Sequence, residues 1–174
     1  PAYGDSEIRD ILDLADHISF NSIGQWLRFR AQVEERRRRI PERTISPGLR
    51  VNPEYSEVET DLYNPCSPFS RLGIVHSEFD ERVLDGVEGL HFHALCEQNV
   101  NALEGVLRNF EEKFGAYIPR MKWVNFGGGH HITRADYQVD RLIEVLRAFR
   151  ARYPGVEVIL EPGEAVGWQT GELV

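Results

Sequence analysis

Two histidines separated by one residue are the first group in this sequence that could do chemistry. His91 and His93 alternate with the apolar residues Leu90, Phe92 and Ala94. In a β-strand, this alternation directs both imidazoles to one face and the apolar side chains to the other. The pair could chelate a metal ion, or both rings could be core residues whose nitrogens find hydrogen-bond partners. Both interpretations are open at this point.

A run of glycines forms the second group. Gly127, Gly128 and Gly129 precede His130 and His131. Glycine tolerates positive φ and has no side chain to block an anion, so successive backbone N–H groups can turn toward a phosphate. A flexible connection between a strand and a helix would have the same composition.

Carboxylates form the third group. Glu161 and Glu164 flank Pro162 and Gly163, directly after the apolar run 156–160. A carboxylate at the end of a buried strand, fixed by the proline and glycine that follow it, is well placed to face a ligand. An ordinary solvent-exposed turn would also accommodate these acids.

Short apolar runs alternate with longer amphipathic stretches, which indicates βα units and a parallel sheet. The predicted strands are 17–21, 48–51, 89–94, 123–126 and 156–160. Two predicted helices begin after caps at Asp5 and Ser22, and three more cover 77–84, 99–114 and 134–153. Because the carboxyl ends of parallel strands meet at one edge of the sheet, we expect the three groups to converge there.

The segment 52–69 interrupts this alternation. It contains prolines, has no helical periodicity, and carries the acidic residues Glu54, Glu57, Glu59 and Asp61. A long connection at the ligand edge is typical of a binding loop or lid.

The composition limits the class of function. The 174 residues include 20 Lys and Arg against 28 Asp and Glu, for a net charge of −8, and 41% are hydrophobic. These values fit one globular domain and argue against binding to nucleic acid or an anionic membrane, since phosphates repel a net anion. Cys66 and Cys96 offer no disulfide framework and no apolar run is long enough to span a membrane, so we expect a cytoplasmic protein.

Three motifs resemble a known family. GLHFH at 89–93, NFGGG at 125–129 and LEPGE at 160–164 resemble the pyridoxal-phosphate-dependent decarboxylases of the alanine racemase type, or fold-type III. HALCEQN, GGGHHIT and EPGEA resemble the branch that decarboxylates carboxynorspermidine and carboxyspermidine in polyamine biosynthesis. The resemblance covers nearly the whole chain. It implies that residues 1–174 are the later part of a (β/α)8 barrel, an α/β fold that binds pyridoxal 5'-phosphate.

The resemblance also implies roles for individual residues. His93 matches the histidine that stacks on the cofactor's pyridine ring, and Glu161 matches the acid that faces the pyridine nitrogen. An anionic carboxylate there stabilises a protonated nitrogen, which makes the ring a stronger electron sink. The other residues implied to support or bind the cofactor are Arg50, Cys96, Gly127, Gly128, Gly129 and His130.

Two positions depart from the wider family. Cys96 stands where other members usually carry a serine that contacts the phosphate, and Glu164 stands where they carry an arginine. We expect Glu164 to bind the cationic arm of a polyamine substrate, with the acidic residues of 52–69 adding to the negative field.

The lysines do not fit the family's reaction. Lys113 follows two glutamates late in a predicted helix, and Lys122 precedes its strand, at the edge opposite the site. The resemblance places the Schiff-base lysine on an upstream strand, and places further pocket residues on a C-terminal β-domain across a homodimer interface. We therefore expect the 174 residues alone to be inactive and, with open strand edges, to aggregate.

Several alternatives are open. A diaminopimelate, ornithine or arginine decarboxylase would use the same cofactor. A metal-dependent barrel hydrolase would use His91, His93, His130 and His131, whereas the decarboxylase interpretation requires no metal. A small barrel protein that carries pyridoxal phosphate without catalysis is the non-enzymatic alternative.

Overall fold

Within residues 3–171, which the computed structural model describes, five strands form one sheet. The strands are His17–Phe20 (β1), Ser46–Arg50 (β2), Gly89–His91 (β3), Trp123–Asn125 (β4) and Glu157–Ile159 (β5). The α-helices are Ile8–Leu14 (α1), Ile23–Arg39 (α2), Val100–Phe114 (α3), Val139–Arg152 (α4) and Gly163–Gly167 (α5). Short 3-10 helices cover Asp61–Tyr63, His76–Glu78, Glu81–Leu84 and Ile118–Arg120.

The strands of this sheet are parallel, and each pairs with the next one in the chain, in the order β1 to β5. Helix α2 connects β1 to β2, α3 connects β3 to β4, and α4 connects β4 to β5. Sequential parallel strands joined by helical crossovers are the repeating unit of a (β/α)8 barrel. No helix between residues 3 and 171 is long and apolar enough to cross a membrane.

The hydrophobic core lies between the sheet and its helices. Leu49, Leu90 and Val124 occupy one level of β2, β3 and β4 and are fully buried. They belong to the same core as Phe110 of α3 and Phe149 of α4, which are also fully buried. Burial of each such side chain contributes roughly 1.5–3 kcal/mol. Since neighbouring residues of a strand alternate in direction, the next residues along the strands face the other side of the sheet.

That inner face is closed near the amino ends of the strands by one large side chain. Gly48 and Gly89 lie level with Trp123 on adjacent strands. A Cβ added to Gly48 or to Gly89 would lie 2.3 Å or 2.1 Å from the indole ring, so the two glycines make room for it. The indole Nε1 donates a hydrogen bond to Ser46 Oγ at 2.8 Å. The amino end of the inner face is therefore filled by protein, and the carboxyl end holds the polar groups.

All five predicted strands are present, but each ends earlier than predicted. The predicted ends were 21, 51, 94, 126 and 160, whereas the strands end at 20, 50, 91, 125 and 159, and β2 begins at 46 instead of 48. The residues beyond these points build the candidate site and its supports instead of extending the ladder.

Two expected helix starts were wrong. Asp5 does not cap α1, because its carboxylate pairs with Arg28 and the N-cap is Glu7, which makes no side-chain cap. Helix α4 begins at Val139 rather than at Arg134, because the segment 132–138 forms turns before the helix. The Ser22 cap of α2 is confirmed, since its Oγ accepts a hydrogen bond from the N–H of residue 25 at 3.1 Å.

The helix expected over 77–84 is also wrong. Two 3-10 helices cover this region, His76–Glu78 and Glu81–Leu84. Asp80 lies between them in extended conformation, and its carboxylate accepts a hydrogen bond from the N–H of Arg82 at 3.0 Å. A side chain that caps a new turn in this way prevents one continuous α-helix.

Candidate active site at the carboxyl edge of the sheet

The inner face carries a row of polar side chains at its carboxyl end. Arg50, His91 and Asn125 are in register at the ends of β2, β3 and β4. All three are buried. Burying a polar group costs free energy unless it finds a partner. The partners of these three side chains therefore determine which polar groups at this edge remain available to a ligand.

Glu161 follows β5 and places its carboxylate beside this row. Its Oε1 accepts a hydrogen bond from Asn125 Nδ2 at 2.7 Å. Its Oε2 lies 3.7 Å from His93 Nδ1 and 4.0 Å from His91 Nε2. His93 and then Asn125 hold the pKa of Glu161 down to about 2, although partial burial acts in the opposite direction. The carboxylate is therefore anionic at neutral pH, and with 46% of the side chain exposed it can still meet a ligand.

His91 lies deeper than His93. Neither ring nitrogen of His91 has a hydrogen-bond partner within residues 3–171. Burial lowers the pKa of His91 to about 4, although the negative charge of Glu161 raises it. The imidazole is therefore neutral at neutral pH, with one N–H donor and one acceptor nitrogen that the described chain does not use.

Arg50 lies beside this group in a supporting position. Its Nη2 donates to the backbone oxygen of His93 at 3.4 Å. Burial lowers the pKa of Arg50, while the nearby Cys66 and Glu161 oppose that effect. The guanidinium thus helps to fix the backbone that carries His93.

The glycine turn is wedged between the ends of β3 and β5. Gly127 has φ +70° and Gly129 has φ +80°. A Cβ on any residue of 127–129 would lie 2.2–2.8 Å from a backbone oxygen of residue 92, 161 or 95. Real Cβ atoms do not approach oxygen so closely. The turn is a tightly packed element, not the flexible connection that its composition also allowed.

The same turn leaves backbone donors free. The N–H of Gly128 points to His93 Nδ1 at 3.4 Å. In the part of the chain that the structure describes, no acceptor contacts the N–H of Gly129 or of His130. Two consecutive free N–H groups in a turn with positive φ can bind an anion such as a phosphate.

Glu164, on α5, lies at the rim of the edge. Its Oε1 is 3.7 Å from Nε2 of the buried His131, and 48% of its side chain is exposed. The His131 ring in turn meets Trp168 edge to face, with centroids 4.7 Å apart. Burial, and then the charges of Glu97 and Glu164, raise the pKa of the exposed Cys96 thiol. Glu164 itself lies outside the inner row, beside His131.

The acidic segment 52–69 has two roles. Glu57 and Glu59 line a cavity of about 320 Å³ that Cys96 also lines. Glu54 instead accepts a hydrogen bond from the N–H of His76 at 2.6 Å, which ties down the loop. The structure thus brings part of the predicted negative field to the rim and uses part of it to hold the loop.

The four histidines proposed for a metal hydrolase do not come together. His91, His93 and Glu161 have ligand atoms within 4.8 Å of one another. The His130 ring is buried, with Nε2 3.4 Å from a backbone carbonyl. His131 contacts the rim as described above, so the four-histidine set is not formed.

Neither lysine reaches this edge. Lys122 precedes β4, and its Nζ binds Glu88 Oε1 at 2.7 Å at the amino edge. Lys113 lies in the last turn of α3.

Sequence reasoning missed Asn125 as a site residue. It contacts Glu161 directly, but its place in the NFGGG motif assigned it no role of its own. A polar residue that ends a buried strand directly before a glycine run was the available signal. Tyr3 was also missed: it lines a cavity of about 330 Å³ together with His91 and Glu161.

The chain is similar to known decarboxylases, although no family model matches it. The carboxynorspermidine/carboxyspermidine decarboxylase of Campylobacter jejuni is 51% identical over 174 residues, which is 100% of this chain and 43% of the relative. This chain is a homologue of the carboxynorspermidine/carboxyspermidine decarboxylases. The carboxyaminopropylagmatine decarboxylase of Synechocystis is 42% identical over the same length and is also covered over 43%. The chain thus spans less than half the length of these relatives.

Solved structures show the same relation. The crystal structure of carboxynorspermidine decarboxylase complexed with norspermidine, from Campylobacter jejuni, matches with TM-score 0.83 and 48% identity, over 98% of this chain and 41% of that one. A diaminopimelate decarboxylase matches with TM-score 0.67 and 16% identity, over 94% and 40% of the two chains. A mutant of SrLDC in complex with PLP matches with TM-score 0.61 and 14% identity, over 95% and 43%. The predicted fold, part of the barrel of fold-type III decarboxylases, is confirmed.

Proposed function

We propose that the full-length protein is a pyridoxal-phosphate-dependent decarboxylase that converts carboxynorspermidine or carboxyspermidine to norspermidine or spermidine and CO2. One observation carries the proposal. The anionic Glu161 lies beside His93 and the glycine turn at the carboxyl edge, in a chain 51% identical to a decarboxylase of these substrates.

The residues present fit the cofactor. A phosphate needs hydrogen-bond donors without a competing side chain, and Gly129 and His130 offer two free N–H groups. A protonated pyridine nitrogen needs an anion, and the low pKa of Glu161 supplies one at neutral pH. His93 has 37% of its side chain exposed, so its ring can stack on a flat ligand. These residues would hold the cofactor, with Arg50 supporting His93 from behind.

In the proposed mechanism the cofactor supplies the chemistry, and the residues of the chain bind and orient it. When bound, pyridoxal phosphate supplies an electron sink for the electron pair left behind as CO2 departs. Glu161 would hold a proton at the pyridine nitrogen, and His93 and Asn125 keep its carboxylate ionised and oriented. The glycine turn would anchor the phosphate, and His93 would restrict the position of the ring.

Glu164 sets the substrate class in this proposal. Its half-exposed carboxylate lies at the rim beside His131, and Glu57 and Glu59 line a cavity that Cys96 also lines. Carboxylates at this edge attract a substrate that carries several ammonium groups and disfavour one with a second carboxylate, such as diaminopimelate.

Turnover requires more than these 174 residues. The reaction needs a lysine at the cofactor, and Lys113 and Lys122 both lie away from the carboxyl edge. We propose that the lysine and a C-terminal β-domain belong to other parts of the full-length protein, which acts as a cytoplasmic homodimer. On this basis the 174-residue chain alone is inactive. Sedimentation of the full-length protein at the mass of a monomer would contradict the dimer.

The proposal is tested on the full-length protein. We expect visible absorbance from bound cofactor that borohydride abolishes, and CO2 release from carboxynorspermidine or carboxyspermidine in preference to diaminopimelate, ornithine or arginine. Carboxyaminopropylagmatine belongs in the same assay, because its decarboxylase in Synechocystis is 42% identical to this chain. Stoichiometric zinc without such an absorbance band would overturn the proposal in favour of a metal hydrolase.

A further inference from the structure

We propose that Asn125 is a positioning residue that ties the carboxylate of Glu161 to the glycine turn, so that the groups holding the two ends of the cofactor keep a fixed separation. The inference rests on the proposed function. It adds a role for a residue that contacts neither end of the cofactor in that proposal.

The two ends of the Asn125 amide make different bonds. Nδ2 donates to Glu161 Oε1 at 2.7 Å. Oδ1 accepts from the N–H of Gly127 at 2.8 Å. The partners fix the orientation of the amide, because a carboxylate can only accept and a backbone N–H can only donate. One short side chain thus bridges two segments that lie 34 residues apart in sequence, 127 and 161.

A backbone hydrogen bond also connects residues 127 and 161. The N–H of Glu161 donates to the backbone oxygen of Gly127 at 2.9 Å. The backbone bond fixes where residue 161 lies relative to the turn, but it does not fix the direction of its side chain. The Asn125 amide supplies that second constraint and orients the carboxylate. Together the two bonds make the turn and Glu161 one rigid unit.

Asparagine is the side chain that this position requires. Asn125 is buried, with 7% exposed, so water does not replace a lost partner readily. Alanine would leave the Gly127 N–H without an acceptor and Glu161 without its donor. Aspartate has the same shape and keeps an acceptor for Gly127, but it sets a second carboxylate against Glu161. Alanine therefore removes both hydrogen bonds of the Asn125 amide, whereas aspartate removes only the one to Glu161.

The other titratable groups that face Glu161 stay unchanged in both variants. Within residues 3–171 they are His91 of β3, His93 just after it, Arg50 of β2, and Tyr3, whose raised pKa reflects burial and then the charge of Glu161. A change in the titration of the site in the variants therefore reports on position 125.

The experiment uses full-length protein with Asn125→Ala, Asn125→Asp and, as a matched control, Asn101→Ala on the exposed face of α3. Three quantities are measured: the Kd for pyridoxal phosphate, the melting temperature without cofactor, and the pH dependence of kcat and of the bound cofactor's absorbance. We expect Asn125→Ala to raise the Kd about 10-fold, the effect of losing a hydrogen bond to a charged group. We expect Asn125→Asp to fold, because the shape is conserved, and to move the acid limb of both pH profiles upward by about one unit or more.

The outcomes are distinct. If both Asn125 variants bind pyridoxal phosphate and depend on pH as wild type and Asn101→Ala do, the inference about Asn125 is overturned. The proposed function would then be unaffected. A lower melting temperature with unchanged pH profiles would also overturn the inference about Asn125, because the role would then be structural only. A wild-type protein that binds no pyridoxal phosphate would overturn the proposed function itself. If Asn125→Ala does not fold, the pH profile of Asn125→Asp decides.

Discussion

The two edges of the sheet differ in whether their polar groups have partners within the protein. At the amino edge, Glu88 accepts hydrogen bonds from Lys122 Nζ at 2.7 Å and Ser46 Oγ at 2.6 Å, and it pairs with Arg37 at 3.0 Å. Ser46 Oγ in turn accepts from the indole N–H of Trp123. Each charged group of this cluster has a partner within the protein.

At the carboxyl edge, partners are fewer than polar groups. Within residues 3–171, both nitrogens of His91 and the N–H groups of Gly129 and His130 lack partners. Glu161 is oriented by protein groups but remains nearly half exposed. The amino edge is built for stability, whereas the carboxyl edge keeps donors and an anion available to a ligand, as barrel enzymes do. The following substitutions test this difference.

The largest effect is expected at Glu161. Glu161→Gln removes the anion that holds a proton at the pyridine nitrogen, so kcat for CO2 release should fall by roughly 100-fold or more. The control is Glu157→Gln, an exposed glutamate at the amino end of β5, the strand that Glu161 follows, which should leave kcat unchanged. Equal kcat values in wild type and Glu161→Gln would contradict the role of the carboxyl edge.

The glycine turn should be the next most sensitive. Gly129→Ala combines φ +80° with a Cβ 2.2 Å from Leu95 O, whereas Gly155→Ala combines φ +87° with open space. The left-handed backbone alone costs about 1–2 kcal/mol. We expect Gly155→Ala to lose stability of that order without loss of cofactor. Gly129→Ala should lose more stability and bind pyridoxal phosphate more weakly, as urea unfolding and cofactor titration would show. Equal losses of stability and of cofactor affinity in Gly129→Ala and Gly155→Ala would contradict the close packing of the glycine turn.

A smaller effect on activity is expected at Glu164. Glu164→Gln keeps the shape but removes the charge at the rim, so KM for the polyamine substrate should rise about 3-fold, the effect of one ion pair at a partly exposed site. Because Glu164 lies outside the inner row, kcat should change little. Steady-state kinetics at two salt concentrations would check this, and an unchanged KM would show that Glu164 does not bind the substrate.

The smallest effect on catalysis is expected at Glu88. Burial alone would raise its pKa, but Lys122, Ser46 and Arg37 lower the pKa of Glu88 overall. Glu88→Gln should therefore cost roughly 1–3 kcal/mol in stability at pH 7, with kcat unchanged.

The pH dependence of that loss has a definite sign. A carboxylate whose pKa is depressed in the folded state stabilises the protein above its unfolded pKa of about 4.3, and this stability is lost as the pH falls through the lower folded value. The difference in melting temperature between wild type and Glu88→Gln should therefore be largest near pH 7 and shrink below pH ~4. A melting-temperature difference that grows as the pH falls would contradict an ionised Glu88 that stabilises the folded state.

Much of this arrangement could be predicted from sequence because it depends on local patterns. The period of two in 90–94 placed His91 and His93 on the inner face. The order of strands and helices placed the glycine turn and Glu161 at the same edge. The family motifs added residue roles that periodicity alone does not give.

The rest depends on contacts between segments distant in sequence. The role of Asn125 requires Glu161, 36 residues away, and the glycines of β2 and β3 are explained only by the indole of Trp123. Helix α4 begins five residues later than expected, because the sequence pattern does not show that 132–138 forms turns instead. Local periodicity contains no information about such pairings.

The most direct test is an experimental structure of the full-length protein with pyridoxal phosphate bound. We expect the phosphate to contact the N–H groups of Gly129 and His130, the pyridine nitrogen to face Glu161, and the ring to lie against His93. A phosphate bound elsewhere, or a metal ion held by His91, His93 and Glu161, would contradict this expectation.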